Sequence, residues 1–335
     1  MNHEQTNSQS ADLERLATGA VRFLSEPASP RPLAIMRIGL ASVLLLQGLA
    51  LSVHLLDLYG NHGVVQWIVT DPAVGQAVPR IRWLVEVLGR FGVDDGTAVR
   101  GLFAVYLGSL AALLLGYRTR SAALVAWFTH LMMNTSATAT VYGVDSFANI
   151  ALFYCTWMPV GAAFSADRAA GRTSDEPTAF ARLALRVLQI HLCVVYLATG
   201  IEKSMGADWW NGEAIWSSLM RSDLCKFDMS WLAQYPLVAV LAGWGTLAVE
   251  LGYALFIWPK QTRRLWAVST IGMHVGIAIF LGLASFAALM SVLTFSAFCV
   301  SAEPTATPVF AELKTRVKRL LPALTRNEII DAPVS

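Results

Sequence analysis

The chain has 335 residues, of which 55% are hydrophobic and only 14% charged. A soluble domain carries about 25% charged residues, so the composition argues against a soluble enzyme. The net charge of +2 is too balanced for a nucleic-acid binder, which must neutralise phosphates.

No long low-complexity tract is present, which excludes disorder for most of the chain. A helix needs about 20 mostly apolar residues to cross a bilayer, so this length holds roughly eight to ten. The apolar runs are long and continuous, unlike the alternating strands of a porin-type barrel. The expected class is an all-α integral membrane protein, a polytopic bundle. Cys155, Cys193 and Cys299 lie in apolar runs and Cys225 in a polar loop. Their spacing suggests no zinc site, and no metal site is expected.

Residues 1–32 are polar, with the mildly amphipathic stretch ADLERLATGAVRFL suited to a membrane face. The first span is expected at 33–56. YGNHGVVQW follows, then PRIRWLVEVLGRFG, whose Arg80, Arg82, Glu86 and Arg90 are too costly for lipid. That segment reads as an interfacial or re-entrant helix. Further spans are expected at 98–115, 121–138, 147–164, 180–200, 237–258, 265–281 and 283–300, about eight in all. The transmembrane domain then covers 33–302. Residues 303–335 form a tail whose FAELKTRVKRLL reads as a basic amphipathic helix for an anionic leaflet.

Short-loop charges set the orientation. Arg118 and Arg120 follow the second span, Arg168 and Arg172 the fourth, Lys260, Arg263 and Arg264 the sixth. All fall on one side if the chain starts inside. The long segment between the first two spans carries arginines on the opposite side, but long segments follow the rule poorly. Both termini are expected in the cytoplasm, and the Lys203–Pro236 loop outside.

Ionisable side chains at bilayer depth mark function by default. His130, His191, Glu250 and His274 all fall near mid-span, which allows a shared inner polar layer that binds substrate or cofactor. The plainer alternative is a neutral His that hydrogen-bonds a neighbour and locks two helices. Arg37, near the inner end, can snorkel or pair with Glu250.

The most informative stretch is YLATGIEKSMGADWWNGEAIW. Lys203 follows Gly200 on nearly the same helix face. Trp209, Trp210 and Trp216 form an aromatic cluster at interface depth. A Lys in an apolar pocket can act as a general base. The alternative is a snorkelling Lys beside an aromatic belt. Asp145 is the only acid in VYGVDSFANI. It can orient Lys203, or cap the helix that follows.

Together IMRIGLASVLLL, LYGNHGVV, YGVDSFANIALFYCTWMPVGAAFSAD, TGIEKSMGADWWNGEAIW, LAVELGYALFIWP and GMHVGIAIFLGLASF resemble bacterial HTTM (horizontally transferred transmembrane domain) proteins, related to vitamin K-dependent γ-carboxylase. The resemblance covers 34–300. It implies a membrane scaffold with a pocket for a reduced quinone of the menaquinone, ubiquinone or vitamin K type. It also implies that Lys203 is the base, since Lys203 matches the carboxylase Lys that acts on reduced vitamin K. The His that assists that Lys falls at Asp145 here. Glu250 and His274 sit in family-like motifs. The carboxylase carries a large lumenal domain after its spans, whereas this sequence has about 35 residues there. A related bacterial branch, the sporulation-delaying-protein B family, helps to mature a secreted peptide toxin.

The expected function is a quinol- or lipid-dependent membrane enzyme that modifies a peptide or small molecule. Lys203 and Asp145 are its candidate catalytic residues; His130, His191, Trp209, Trp210, Glu250 and His274 are its candidate binding residues. The rival is a non-catalytic factor for maturation, immunity or assembly of a secreted peptide. A transporter is disfavoured by the lack of an internal repeat. Membrane lipid is the expected partner, with a peptide or small-molecule substrate and no nucleic acid.

Overall fold

A computed structural model describes residues 15, 18–64, 66–67, 75, 77–221 and 226–303. The basic tail and Cys225 lie outside these residues, as do most positions of the first half of the stretch ADLERLATGAVRFL. Residues up to Ala302 form one compact unit. Among the described residues there is no β-strand, only an isolated bridge between Ala28 and Thr178.

The elements are α1 (Arg31–Leu51), α2 (Leu55–Tyr59), α3 (Ile81–Gly89), α4 (Asp95–Leu115), α5 (Thr119–Ser136), α6 (Gly143–Trp157) and α7 (Ala166–Ala169). They continue with α8 (Ala179–Met205), α9 (Ala207–Asn211), α10 (Glu213–Met220), α11 (Pro236–Phe256), α12 (Lys260–Leu281) and α13 (Ala284–Phe298). Each of the eight expected spans is helical. Among the described residues, five helices are long and apolar enough to cross a membrane: α1 with α2, α4, α8, α11 and α12. The other three are shorter or more polar, with 18 residues in α5 and 15 each in α6 and α13. The expected span at 147–164 stops at Trp157 because Pro159 forces Met158 into an extended conformation (ψ 152°). The span expected at 180–200 runs on to Met205, so Lys203 is inside the helix.

Local chemistry explains several ends. The Asp94 side chain accepts the Thr97 amide at 2.9 Å and starts α4. Thr178 does the same for Ala181 at the start of α8 (3.0 Å). The segment expected as an interfacial or re-entrant helix is helical as α3, with Ile81 and Val85 buried and Trp83 exposed.

Contacts at the two ends establish an up-and-down bundle. At one end the Ser29 amide donates to Ala302 (2.9 Å), Gln189 donates to Ala297 (2.6 Å), and the Arg118 amide donates to Asp167 (3.0 Å). Arg118, Arg120, Arg168, Arg172, Lys260, Arg263 and Arg264 gather there, and we call it the basic end. At the other end the Ile81 amide donates to Ser136 (2.8 Å) and Gln47 reaches Asp145 (3.5 Å). Large apolar side chains such as Leu46, Leu115, Leu237, Leu255 and Val268 are exposed along the helices. In water that surface would be a liability; in lipid it is the favoured contact.

Arg37 is fully buried in the core of the basic end. It does not pair with Glu250. Its guanidinium donates to the carbonyls of Leu113, Leu114 (2.7 Å), Val160 (3.1 Å) and Phe164 (2.6 Å). Leu113 and Leu114 are in the last turn of α4, where carbonyls lack helical partners and a cation is favoured. A buried charge is tolerated when hydrogen bonds replace its water.

Candidate functional site

Lys203 sits in the last turn of α8. A Cβ on Gly200 would lie 3.1 Å from the Leu251 backbone nitrogen, so α8 and α11 touch one turn below Lys203. Helical side chains lean towards the N-terminus, so the Lys203 stem turns back towards that level. There Nζ donates to both Glu250 carboxylate oxygens, at 2.6 and 2.7 Å. Glu250 is buried and Lys203 half-buried. Glu250 lies fourteen residues into α11, or about 20 Å from the start of that helix at 1.5 Å per residue.

The α9–α10 elbow closes over this pair. Two glycines allow it to lie directly on α11. Gly212 takes φ 86°, a conformation that side chains disfavour, and a Cβ there would meet the Val240 amide at 2.6 Å. A Cβ on Gly243 would meet the Trp209 carbonyl at 2.5 Å. The Trp209 ring is thereby held with its centroid 5.3 Å from Lys203 Nζ, within cation–π range.

A cavity of about 720 Å³ opens beside the pair, between α10, α11, α12 and the segment before α11. Ile215, Leu219, Phe227, Met273, Ile277 and Phe280 are among its mostly apolar lining, and Lys203, Glu250 and Asp228 supply charge. A second cavity of about 350 Å³ is lined by Thr199, Glu202, Lys203, Gly206, Asp208 and Trp209. Lys203 and Trp209 therefore stand between an apolar chamber and a polar, acidic one. Such an arrangement can hold an apolar molecule with one polar group against an acid–base pair.

The HTTM domain family model matches residues 83–301, well over half of the chain, and every residue of this site lies within it. The chain belongs to the HTTM domain family. It is also 28% identical over 125 residues to YitO, an uncharacterized protein of Bacillus subtilis (strain 168). That match covers 36% of this chain and 40% of YitO, so the chain spans well under half the length of this relative. No solved structure matches.

The other expected site residues of this HTTM protein are placed elsewhere. Trp209 lines the cavities, but Trp210 is exposed, and its indole donates to the Ser204 carbonyl (2.8 Å). Asp145 is not paired with Lys203. One of its oxygens accepts the Tyr142 amide (3.1 Å), which caps α6, and the other faces Gln47. The shared inner polar layer resolves into separate pairs. His130 Nδ1 bonds Tyr106 OH (3.1 Å) and its Nε2 bonds the Asp145 carbonyl (3.3 Å). His191 Nδ1 bonds Tyr154 OH (2.9 Å). His274 Nε2 bonds Tyr196 OH (2.8 Å).

His130, His191 and His274 thus each meet a tyrosine of a neighbouring helix, whereas His54, in the first candidate span, is exposed and faces Asp57 (3.4 Å). Sequence reasoning missed all three tyrosines. Only Tyr196 carried a signal, since it lies seven residues before Lys203 on one helix face. Its ring packs on Tyr253 (4.2 Å between centroids), whose hydroxyl reaches Thr294 (3.3 Å). His274 Nδ1 and Thr270 Oγ1 are buried without a protein partner.

Outside the spans, Asp167 organises the basic end. It accepts from the Arg118 amide, the Thr119 amide (2.8 Å) and hydroxyl (2.6 Å), and Arg172 Nε (2.9 Å). Burial pushes its carboxyl up, but these hydrogen bonds outweigh burial and hold it down at about 2. Among the described residues, no cluster of His, Cys, Asp and Glu is arranged to hold a metal ion.

Proposed function

We propose that this HTTM protein is a membrane enzyme that acts on or with a lipid-soluble ring compound, with Lys203 as the base. The observation that carries the proposal is the Lys203–Glu250 pair at the wall of a largely apolar cavity of about 720 Å³. That volume suits a small-molecule ligand. A reduced quinone, the cofactor implied by the carboxylase resemblance, fits the donor set. Leu219, Phe227, Ile277 and Phe280 would hold its ring and isoprenoid tail. When bound, such a quinol supplies reducing electrons and an ionisable hydroxyl. Lys203 Nζ would first pass a proton to Glu250 across the 2.6 Å hydrogen bond, and the neutral amine would then accept a proton from the substrate or the quinol hydroxyl while protonated Glu250 holds it in place. Trp209 would keep water from the pair. Glu202 and Asp208 in the smaller cavity would face a second, water-borne substrate, such as a peptide or small molecule.

The non-catalytic reading has one observation in its favour. Both Glu250 oxygens accept from Lys203, and an ion pair of this kind can simply fasten α8 to α11. Substitution separates the two readings. In quinol-dependent turnover by the purified protein, Lys203→Arg should be nearly as damaging as Lys203→Ala, because Arg keeps the charge but cannot give up its proton. If Lys203→Arg retains turnover, Lys203 is a fixed charge and not a base.

We assign the basic end to the cytoplasm, and with it both termini, in a bacterial inner membrane. The Lys203 site then opens towards the outer side. In a Cys225→Ser/Cys299→Ser background, a membrane-impermeant maleimide should label Glu213→Cys in intact cells and Glu176→Cys only after permeabilisation. The reverse pattern would invert the assignment.

A further inference from the structure

At the basic end a cleft of about 530 Å³ separates the α4–α5 turn from the loop between α6 and α8. Its lining includes Arg118, Thr119, Arg120, Met158, Asp167 and Arg172. Asp167 is consumed by the turn itself. It takes the Arg118 and Thr119 amides, the Thr119 hydroxyl, and Nε and Nη2 of Arg172. The start of α5 is therefore already capped by a protein carboxylate, and the helix terminus is not what offers a site.

What remains is cationic. Among the described residues, the Arg118 and Arg120 guanidinium groups have no protein acceptor, and both residues are exposed. Arg172 keeps one terminal nitrogen free of Asp167 and lies over the Tyr117 ring at 5.5 Å. Three guanidiniums thus face one carboxylate across a preformed space. The backbone holds them under strain. Arg118 (φ 42°) and Phe164 (φ 49°) are the non-glycine residues with positive φ among the described ones, and they lie in the two loops that form the cleft. Strain of this kind persists where the surroundings over-determine it, often at ligand clamps.

We infer that this cleft binds a phosphate ester through Arg118, Arg120 and Arg172. Guanidinium groups match phosphate oxygens with paired hydrogen bonds. The setting favours a phosphate carried by a lipid. Leu115 and Leu124, on the helices flanking the cleft, are 66% and 53% exposed and offer an apolar track for acyl chains. Basic pockets between transmembrane helices bind anionic head groups in this way. A soluble phosphate ester would present the same chemistry to the same three residues.

Native mass spectrometry of the full-length protein tests the assignment. The protein is released from mixed micelles of phosphatidylglycerol and phosphatidylcholine, with and without inorganic phosphate. The wild type should retain phosphatidylglycerol in preference to phosphatidylcholine. Retention should fall about tenfold or more in Arg118→Gln/Arg120→Gln, since each basic residue near a membrane surface contributes on the order of a fivefold factor. It should be unchanged in Arg264→Gln, an exposed arginine at the same end but outside the cleft. Because Arg118 is backbone-strained, Arg120→Gln alone carries the comparison if the double variant does not fold. Inorganic phosphate that binds without anionic lipid, and is lost in the same variants, would assign the cleft to a soluble phosphate ester. If no phosphate binds, and Arg264→Gln loses lipid as much as Arg120→Gln or neither loses any, the cleft is not a site.

Discussion

Arg37 and Lys203 are both cations inside the helical bundle, and their settings differ in kind. Arg37 is fully buried and donates to four carbonyls from two segments. Lys203 is half-buried, bonds one carboxylate, and borders two cavities. A charge held by several backbone groups has no freedom to exchange its proton or its partner. A charge held by one side chain beside open space has both. The contrast marks Arg37 as architecture and Lys203 as the candidate for chemistry.

The largest expected effect is therefore at Arg37. Arg37→Met strips the donors from a buried set of carbonyls and should cost about 3–5 kcal/mol. Arg37→Lys should recover only part of it, because an ammonium with three donors cannot reproduce the guanidinium's fork to four carbonyls. Thermal unfolding in detergent would show both changes. Full recovery by Lys would mean that the charge alone matters there.

Next come the site partners. Glu250→Gln leaves the Lys203 cation without its counter-ion and should destabilise by a few kcal/mol. The double variant Lys203→Met/Glu250→Gln should lose less than the sum of the single losses, with a coupling of about 1–3 kcal/mol. Additive losses would show that the pair does not act as a unit. Gly243→Val should cost about 1–3 kcal/mol through overpacking against Trp209, and should shift the Trp emission spectrum as α9 is displaced.

The basic end should respond to acid. The folded Asp167 carboxyl is held at about 2, below its unfolded value of about 3.9. A depressed pKa adds stability that is present above the unfolded value and is lost as pH falls through the folded one. Thermal stability should therefore drop between about pH 4 and pH 2, and the drop should be smaller in Asp167→Asn. An identical acid limb in that variant would assign it to other carboxyls.

The smallest effect is expected at the histidine–tyrosine pairs. Tyr154→Phe removes the His191 hydrogen bond and should cost about 0.6 kcal/mol, the average for interhelical bonds in membranes. A loss above about 2 kcal/mol would mean that His191 does more than join α6 to α8.

Helices were legible in the sequence because apolar runs and their breaks are local. Every expected span is helical over most of its length, although the one at 147–164 ends at Trp157, and the segment with Trp and Arg at helical spacing became α3. Pairings were not legible, because they join distant positions. Lys203 finds Glu250 forty-seven residues away, and Arg37 finds carbonyls that carry no side-chain signature at all. Lys203 itself stood out through its aromatic surroundings. Trp210, one residue after the cavity-lining Trp209, shared the same surroundings but turned outward, since one residue rotates a side chain by about 100° around a helix.

The central claim is that the Lys203–Glu250 cavity holds a lipid-soluble ring compound. Mass spectrometry of lipids that co-purify with the protein tests it most directly, with Gly276→Phe as comparison. Gly276 lines the cavity, and a Cβ there meets nothing within 4 Å, so the ring fills space rather than displacing the fold. The account predicts a near-stoichiometric isoprenoid quinone on the wild type and its loss from a folded Gly276→Phe protein. Equal amounts on both proteins, or none on the wild type, would contradict it.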